Sequence, residues 1–339
     1  MRVRNPNIDL SAVDAFWPIL DCLTRDKEPS AHEWGRLFGN PGYRTLFRND
    51  PNFREDLLRE GFSLAYRPSR VKECRRACQE ERWKRPLDHY ANVRKRRTEI
   101  QASLDGLARL DVTGKARRAA AMYLPASAIG RVPDPPVSFL IFKNDAKGFS
   151  SRVLMDALAW LEWDDPLLLL AHEFHHYFRA RVADPQADLR KGGDREVEHL
   201  LELVESEGVA DLVNRLPLFA PDRVLTSRGI RYVRLVRRSP HFLRILDKEL
   251  AVAALRPTKR LTLTHTLIDT LPDGGHQVGF YMARTILDRL GKPRVIACVG
   301  DPIRFFQTYA EAAELPPRLS SFSQRTLAFL GSLNAGHDS

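Results

Sequence analysis

Residues 172–176 read His-Glu-Phe-His-His, directly after the run Leu167-Leu168-Leu169-Leu170-Ala171, which is too apolar for a solvent-exposed helix. A helix turns about 100° per residue, so side chains four apart stand on one face. His172 and His176 therefore share a face of a helix that must be buried, and two neutral imidazoles buried without partners would be costly. A shared metal ion is the simplest account, since Zn²⁺ takes a nitrogen from each at about 2.0–2.1 Å. Glu173, one position along, can reach a water that such an ion has acidified to a pKa of roughly 7. His175 points about 100° away from His176 and is expected to support the site rather than bind the ion. Upstream, Asp164-Asp165-Pro166 reads as an acidic N-cap with proline at the first helical position.

A catalytic zinc site has three protein ligands and one open position, so a third donor must come from elsewhere. Glu207 is the candidate. It lies in Glu205-Ser206-Glu207-Gly208-Val209-Ala210-Asp211, within a stretch from Asp194 to Arg215 whose apolar residues recur at helical spacing. Glu207 and Asp211, four apart, share a face, and two acids facing an apolar core call for a cation or imidazole opposite. Glu205 is the second candidate; it projects about 200° away, so both cannot bind one ion. Gly208 costs up to about 1 kcal/mol inside a helix, which points to a close packing contact, expected with the His172–His176 helix.

With both motifs in view, the chain resembles the gluzincin clan of zinc metallopeptidases, in which a His-Glu-x-x-His helix is followed by a Glu-x-x-(Ser/Ala)-Asp helix. It is similar, more narrowly, to bacterial zinc-dependent peptidases, largely uncharacterised, that combine His-Glu-Phe-His-His, Glu-Gly-x-Ala-Asp and a later Gly-x-x-x-Gly-(Phe/Tyr)-Tyr-Met-Ala segment, here Gly275–Ala283. The likeness spans about residues 137–310, although the interval from His176 to Glu207 is longer than in the best-known aminopeptidases of the clan. The resemblance implies His172, His176 and Glu207 as zinc ligands, Glu173 as general base, and Asp211 as the carboxylate holding His172. It also implies an α+β, predominantly helical fold: a zincin-like core with a small mixed sheet and two metal-binding helices, preceded by a helical N-terminal region.

Amide hydrolysis builds an oxyanion at a tetrahedral carbon, so a hydrogen-bond donor is expected beside the metal. His276 and Tyr281 are the candidates, at the start of a helix over about 277–290 that follows the Pro272-Asp273-Gly274-Gly275 turn. Val137–Phe142 reads as a strand and Lys143–Gly148 as a loop. In zincins of this type an edge strand pairs with the substrate backbone, and Val137–Phe142 is the expected one.

The 339 residues, 43% of them hydrophobic, suffice for a sizeable core and two regions. A Pro-rich joint near residues 125–136 divides a mainly helical segment, 1–130, from the metallopeptidase-like domain, 131–339. The first segment reads as mainly helical, with Asp9–Leu23, Ser30–Leu37, Tyr43–Leu58 and Pro68–Leu110 broken by Pro and Gly punctuation; helices are expected near 165–183, 195–215, 240–255 and 277–290, and Asp301–Leu330 reads as helical. The first residues lack an apolar leader and no apolar run reaches about 18 residues, so a cytoplasmic protein with no membrane partner is expected. Cys22, Cys74, Cys78 and Cys298 form no disulfide framework and read as reduced thiols.

The net charge is +10, and the excess clusters in Arg67–Arg97 and Arg228–Arg244. Acids interleaved with most of these positions and few aromatic residues favour solvated helix faces over nucleic-acid binding. Three functions follow from these features. The first is hydrolysis of a peptide or protein substrate; the second is a non-catalytic zincin-like protein with a closed structural metal site, His175 or His199 adding a fourth ligand, and a basic surface for nucleic acid or a partner. The third is zinc-dependent hydrolysis of a non-peptide amide.

Overall fold

A computed structural model describes residues 7–107, 110–130, 132–183 and 193–335. Among these residues the chain is predominantly helical with one small mixed sheet, an α+β fold. In chain order the elements begin with β1 (Ile8–Asp9), α1 (Ser11–Thr24), α2 (Ala31–Phe38), α3 (Pro41–Asn49), α4 (Glu55–Tyr66), α5 (Val71–Ala77), α6 (Glu81–Lys95), α7 (Arg97–Leu107), α8 (Val112–Ala120) and α9 (Ala126–Ile129). The strands β2 (Val137–Leu140), β3 (Ala146–Phe149) and β4 (Arg152–Asp156) come next, then α10 (Ala157–Glu162), α11 (Pro166–Arg179) and α12 (Gly193–Asn214). The remainder is helical: α13 (Ser227–Arg237), α14 (Ser239–Leu255), α15 (Arg260–Thr270), α16 (His276–Leu290), α17 (Lys292–Ile296), α18 (Pro302–Glu314) and α19 (Gln324–Ala335).

The chain divides into two compact units, each built from two stretches: Met1–Arg117 with Pro133–Tyr177, and Arg118–Val132 with Phe178–Ser339. This differs from the expected division at residue 130, because strands and helices on either side of that point share one core. In the first unit the sheet order is β1-β2-β4-β3, with β1, β2 and β4 parallel and β3 antiparallel to β4. All four residues of β2 are buried, as an inner strand requires, and α1 and α3 pack on it. Phe16, Phe62, Tyr66 and Tyr90 interlock edge to face beneath α1, α4 and α6, Phe62 and Tyr90 with centroids 4.8 Å apart. Asp156 ends β4 and starts α10, its carboxylate accepting from the Leu158 and Ala159 N–H groups and from Phe142, with His89 Nε2 3.1 Å away.

The sheet corrects three expectations. Val137–Phe142 is not an edge strand, since β2 runs between β1 and β4; the edges are β1 and β3. Residues 146–149, read in part as a loop, form the β3 edge, and β4 was not foreseen. In the N-terminal segment the expected broken helical stretches are α3 with the start of α4 over Tyr43–Leu58, and α5, α6 and α7 over Pro68–Leu110.

The second unit is organised around α12, whose 22 residues pack against α15, α16 and α18. Its tightest approach is to α16 at Gly208 and Gly279, where backbone meets backbone: a Cβ on Gly208 would lie 2.3 Å from the Gly279 carbonyl carbon. Gly208 thus has the close contact its cost demanded, but the approaching helix is α16 and not α11. No described helix is long and apolar enough to cross a membrane.

Candidate metal centre and catalytic residues

Helix α11 starts as its sequence requires. Pro166 is the first helical residue and the Asp165 carboxylate accepts from the Leu168 N–H at 3.0 Å. The helix then buries Leu170, Ala171, Phe174 and Phe178 completely, which leaves His172 only 4% and Glu173 only 6% exposed. One turn apart, the His172 and His176 rings stand edge to face with centroids 4.7 Å apart, and their Nε2 atoms are 3.0 Å from one another. Two nitrogens on one tetrahedral ion at about 2.0–2.1 Å are about 3.3 Å apart, so this converging pair fits a shared zinc. His175, fully buried, lies further off, its ring centroid 6.4 Å from that of His176.

The edge strand β3 runs beside Glu173. A Cβ on Gly148 would stand 2.6 Å from the Glu173 carbonyl oxygen and 3.1 Å from its Oε2, so only glycine lets strand and helix approach this closely. Next to it, Lys147 Nζ pairs with Asp50 Oδ2 at 2.9 Å. Burial pulls the Lys147 pKa down, but the Asp50 hydrogen bond and the charges of Asp50, Asp145 and Glu173 outweigh it and hold the ammonium above its ordinary value.

In the second unit, α12 presents Glu207 and Asp211 on one face, and His276 at the start of α16 meets both. Its Nδ1–H donates to Asp211 Oδ2 at 3.2 Å, and its Nε2 lies 3.3 Å from Glu207 Oε2. The turn before it explains the placement: Asp273, Gly274 and Gly275 take φ of 45°, 68° and 96° in succession, left-handed backbone that reverses the chain onto the first turn of α16. The Gly208–Gly279 crossing, one turn beyond His276, holds the two helices at this spacing.

Tyr232, on α13, is a participant that motif reading missed. Its buried hydroxyl donates to Asp211 Oδ2 at 2.8 Å, and the Arg215 guanidinium covers its ring at 4.8 Å. Burial and then the Asp211 charge push the Tyr232 pKa well above its ordinary value, so it stays a proton donor. The pattern Gly229, Tyr232, Val233, Val236 was the available signal, a helical inner face carrying one hydroxyl.

The remaining candidates lie apart from this cluster. Tyr281 turns its ring toward Tyr309, centroids 6.3 Å apart. Glu205, fully buried, gives its carboxylate to Arg179 and to the Gly300 N–H at 3.2 Å, which removes it as a ligand. His199 is exposed beside Glu202, 3.9 Å away, which raises its pKa.

No curated protein and no solved structure matches the chain. A family model described as "Putative zinc dependent peptidase (DUF5700)" matches residues 34–317, most of the chain, and to that family the chain belongs.

Proposed function

We propose that the protein is a zinc metallopeptidase of the gluzincin type, in which His172, His176 and Glu207 hold the ion, Glu173 is the general base, and the substrate is a peptide or protein. The observation that carries this reading is the convergence of the His172 and His176 Nε2 atoms to 3.0 Å on a buried helix, with Glu173 beside them. Zinc, when bound, supplies a Lewis acid that polarises the scissile carbonyl and lets water lose a proton near neutral pH. Glu173 accepts the proton of the attacking water and returns it to the amine nitrogen as the C–N bond breaks. An extended substrate pairing with the outer edge of β3 would run beside Glu173, main chain against main chain. As an imidazolium His276 donates Nδ1–H to Asp211 and Nε2–H to the oxyanion, while Tyr232 fixes the carboxylate behind it. Tyr281, turned toward Tyr309, is the weaker candidate for that role.

The test is Glu173→Gln, assayed on a quenched-fluorescent peptide library with zinc measured on the same sample. The expected result is unchanged zinc and hydrolysis lower by about 10²–10⁴-fold. Wild-type activity in the variant would reject the mechanism. Cleavage of simple amides without cleavage of any peptide would move the substrate to the non-peptide class.

A further inference from the structure

The two basic runs differ in how far acids accompany them. In Arg67–Arg97 acids stand among the arginines and neutralise five of the nine: Arg67 pairs with Asp26 and Glu28, Arg70 with Glu60 and Glu73, Arg82 with Glu80, Arg96 with Glu99 and Glu162, and Arg97 with Asp21, while among the described residues Arg75, Arg76, Arg85 and Arg94 are exposed without an ion pair. On α13 and the start of α14 this neutralisation is missing. Between Arg223 and Lys248 the one acidic residue is Asp247, whose carboxylate accepts from Ser323 and Thr326. Arg231 has Asp273 at 3.6 Å, but among the described residues Arg223, Arg234, Arg237 and Arg244 stand exposed with no carboxylate within ion-pair distance.

Helix α13 sorts its side chains sharply. Gly229, Tyr232, Val233 and Val236 face inward, whereas Ile230, Arg231, Arg234 and Arg237 lie on the opposite arc. Ile230 is therefore 48% exposed in the midst of arginines, and Val224, just before the helix, is 91% exposed. Tyr232 and Phe242 are buried, which leaves the exposed His241 imidazole as the one ring of these two helices on which a nucleic-acid base could stack, too little for a stacking platform.

We propose that the outer face of α13, with Val224 at one end and Arg244 at the other, is a docking surface for an anionic lipid bilayer. Guanidinium groups reach headgroup phosphates while Val224 and Ile230 enter the interface between headgroups and acyl chains, a combination that a purely electrostatic polyanion would leave unsatisfied. Surface contact needs no spanning helix, so it is compatible with a chain whose described helices are too short or too polar to cross. The inner face of the same helix carries Tyr232, which holds Asp211, so docking would set the candidate catalytic residues close to the membrane surface.

The experiment is co-sedimentation of the full chain with phosphatidylcholine vesicles, with and without phosphatidylglycerol. Binding is expected only to the anionic vesicles and is expected to weaken as salt rises. Each cation near such a surface contributes roughly fivefold, so Arg234→Gln, Arg237→Gln and Arg244→Gln together should weaken binding by up to about 100-fold. Val224→Ser with Ile230→Ser, which leaves the charge unaltered, should weaken it by at least about tenfold. Arg82→Gln, in the other basic run, should leave it unchanged. Equal binding by the triple variant and wild type, no binding to anionic vesicles at low salt, or binding to single-stranded DNA without binding to vesicles would each overturn the proposal. Circular dichroism of each variant separates misfolding from loss of binding.

Discussion

Replacing Gly208 by alanine tests how the second unit positions its candidate catalytic residues. The new Cβ would lie 2.3 Å from the Gly279 carbonyl carbon, 2.5 Å from its oxygen and 2.6 Å from its Cα. Ordinary contact begins at 3.4 Å, so α16 must retreat by about 1 Å (3.4 − 2.3), and the opposing atoms are backbone with no rotamer to change. Alanine recovers up to about 1 kcal/mol of helix propensity, but overpacking costs about 1–3 kcal/mol and opening the interface forfeits dispersion along both helices. The expected net effect is a loss of about 2 kcal/mol, or a fall in Tm of about 4–8 °C, by urea and thermal unfolding. Gly331→Ala, on α19 of the same unit with no atom within 4 Å of the new Cβ, should instead leave stability unchanged or raise it by up to about 1 kcal/mol. Because His276 rides one turn from Gly279, a 1 Å retreat also takes it beyond hydrogen-bond range of Asp211 and Glu207, now at 3.2 and 3.3 Å, so peptide hydrolysis should fall with stability. A Gly208→Ala protein as stable as wild type, with Gly331→Ala behaving as expected, would refute the backbone crossing.

Two further outcomes follow from buried polar groups. Glu205→Ala strands the Arg179 guanidinium and should cost about 3–5 kcal/mol in denaturant unfolding, whereas Glu205→Leu with Arg179→Leu should cost much less; equal losses would show that the pair is not what holds the site together. Tyr43, Tyr66, Tyr90, Tyr232 and Tyr309 all have pKa values raised, chiefly by burial. A raised folded pKa means stability that is full below the ordinary tyrosine value and lost as pH climbs above it. Absorbance at 295 nm should therefore show most of the eight tyrosines ionising together with cooperative unfolding above about pH 10, and independent titration of all eight in a folded protein would contradict their burial.

Much of the candidate site was legible because its signals are local. Asp165-Pro166 marks the start of α11, the four-residue spacing fixes the His172–His176 face, and glycine inside α12 announces a close approach. What could not be read was the identity of that partner, since a glycine says only that something is near; α16 supplies it from about 70 residues downstream. The same limit hid Tyr232, which lies in a helix whose arginines dominate its composition. Residues 143–148 carry turn chemistry, and cross-strand pairing with β4 overrides it from Ala146 onward. The β4-to-α10 junction lies inside an unbroken apolar stretch, where Asp156 is the sole marker and is legible only as an N-cap. The run Val137–Leu140 pointed to a strand; its lack of alternation, read as burial on both faces, would have excluded an edge position.

The most direct test of the account is zinc content, by elemental analysis, of purified wild-type protein and of His172→Ala and Glu207→Ala. The account predicts about one zinc per chain in the wild type and loss of the metal in both variants, with circular dichroism showing that each remains folded. A wild type that resists zinc loading, or a folded Glu207→Ala protein that keeps a full equivalent, would contradict the ligand set on which the proposed hydrolysis rests.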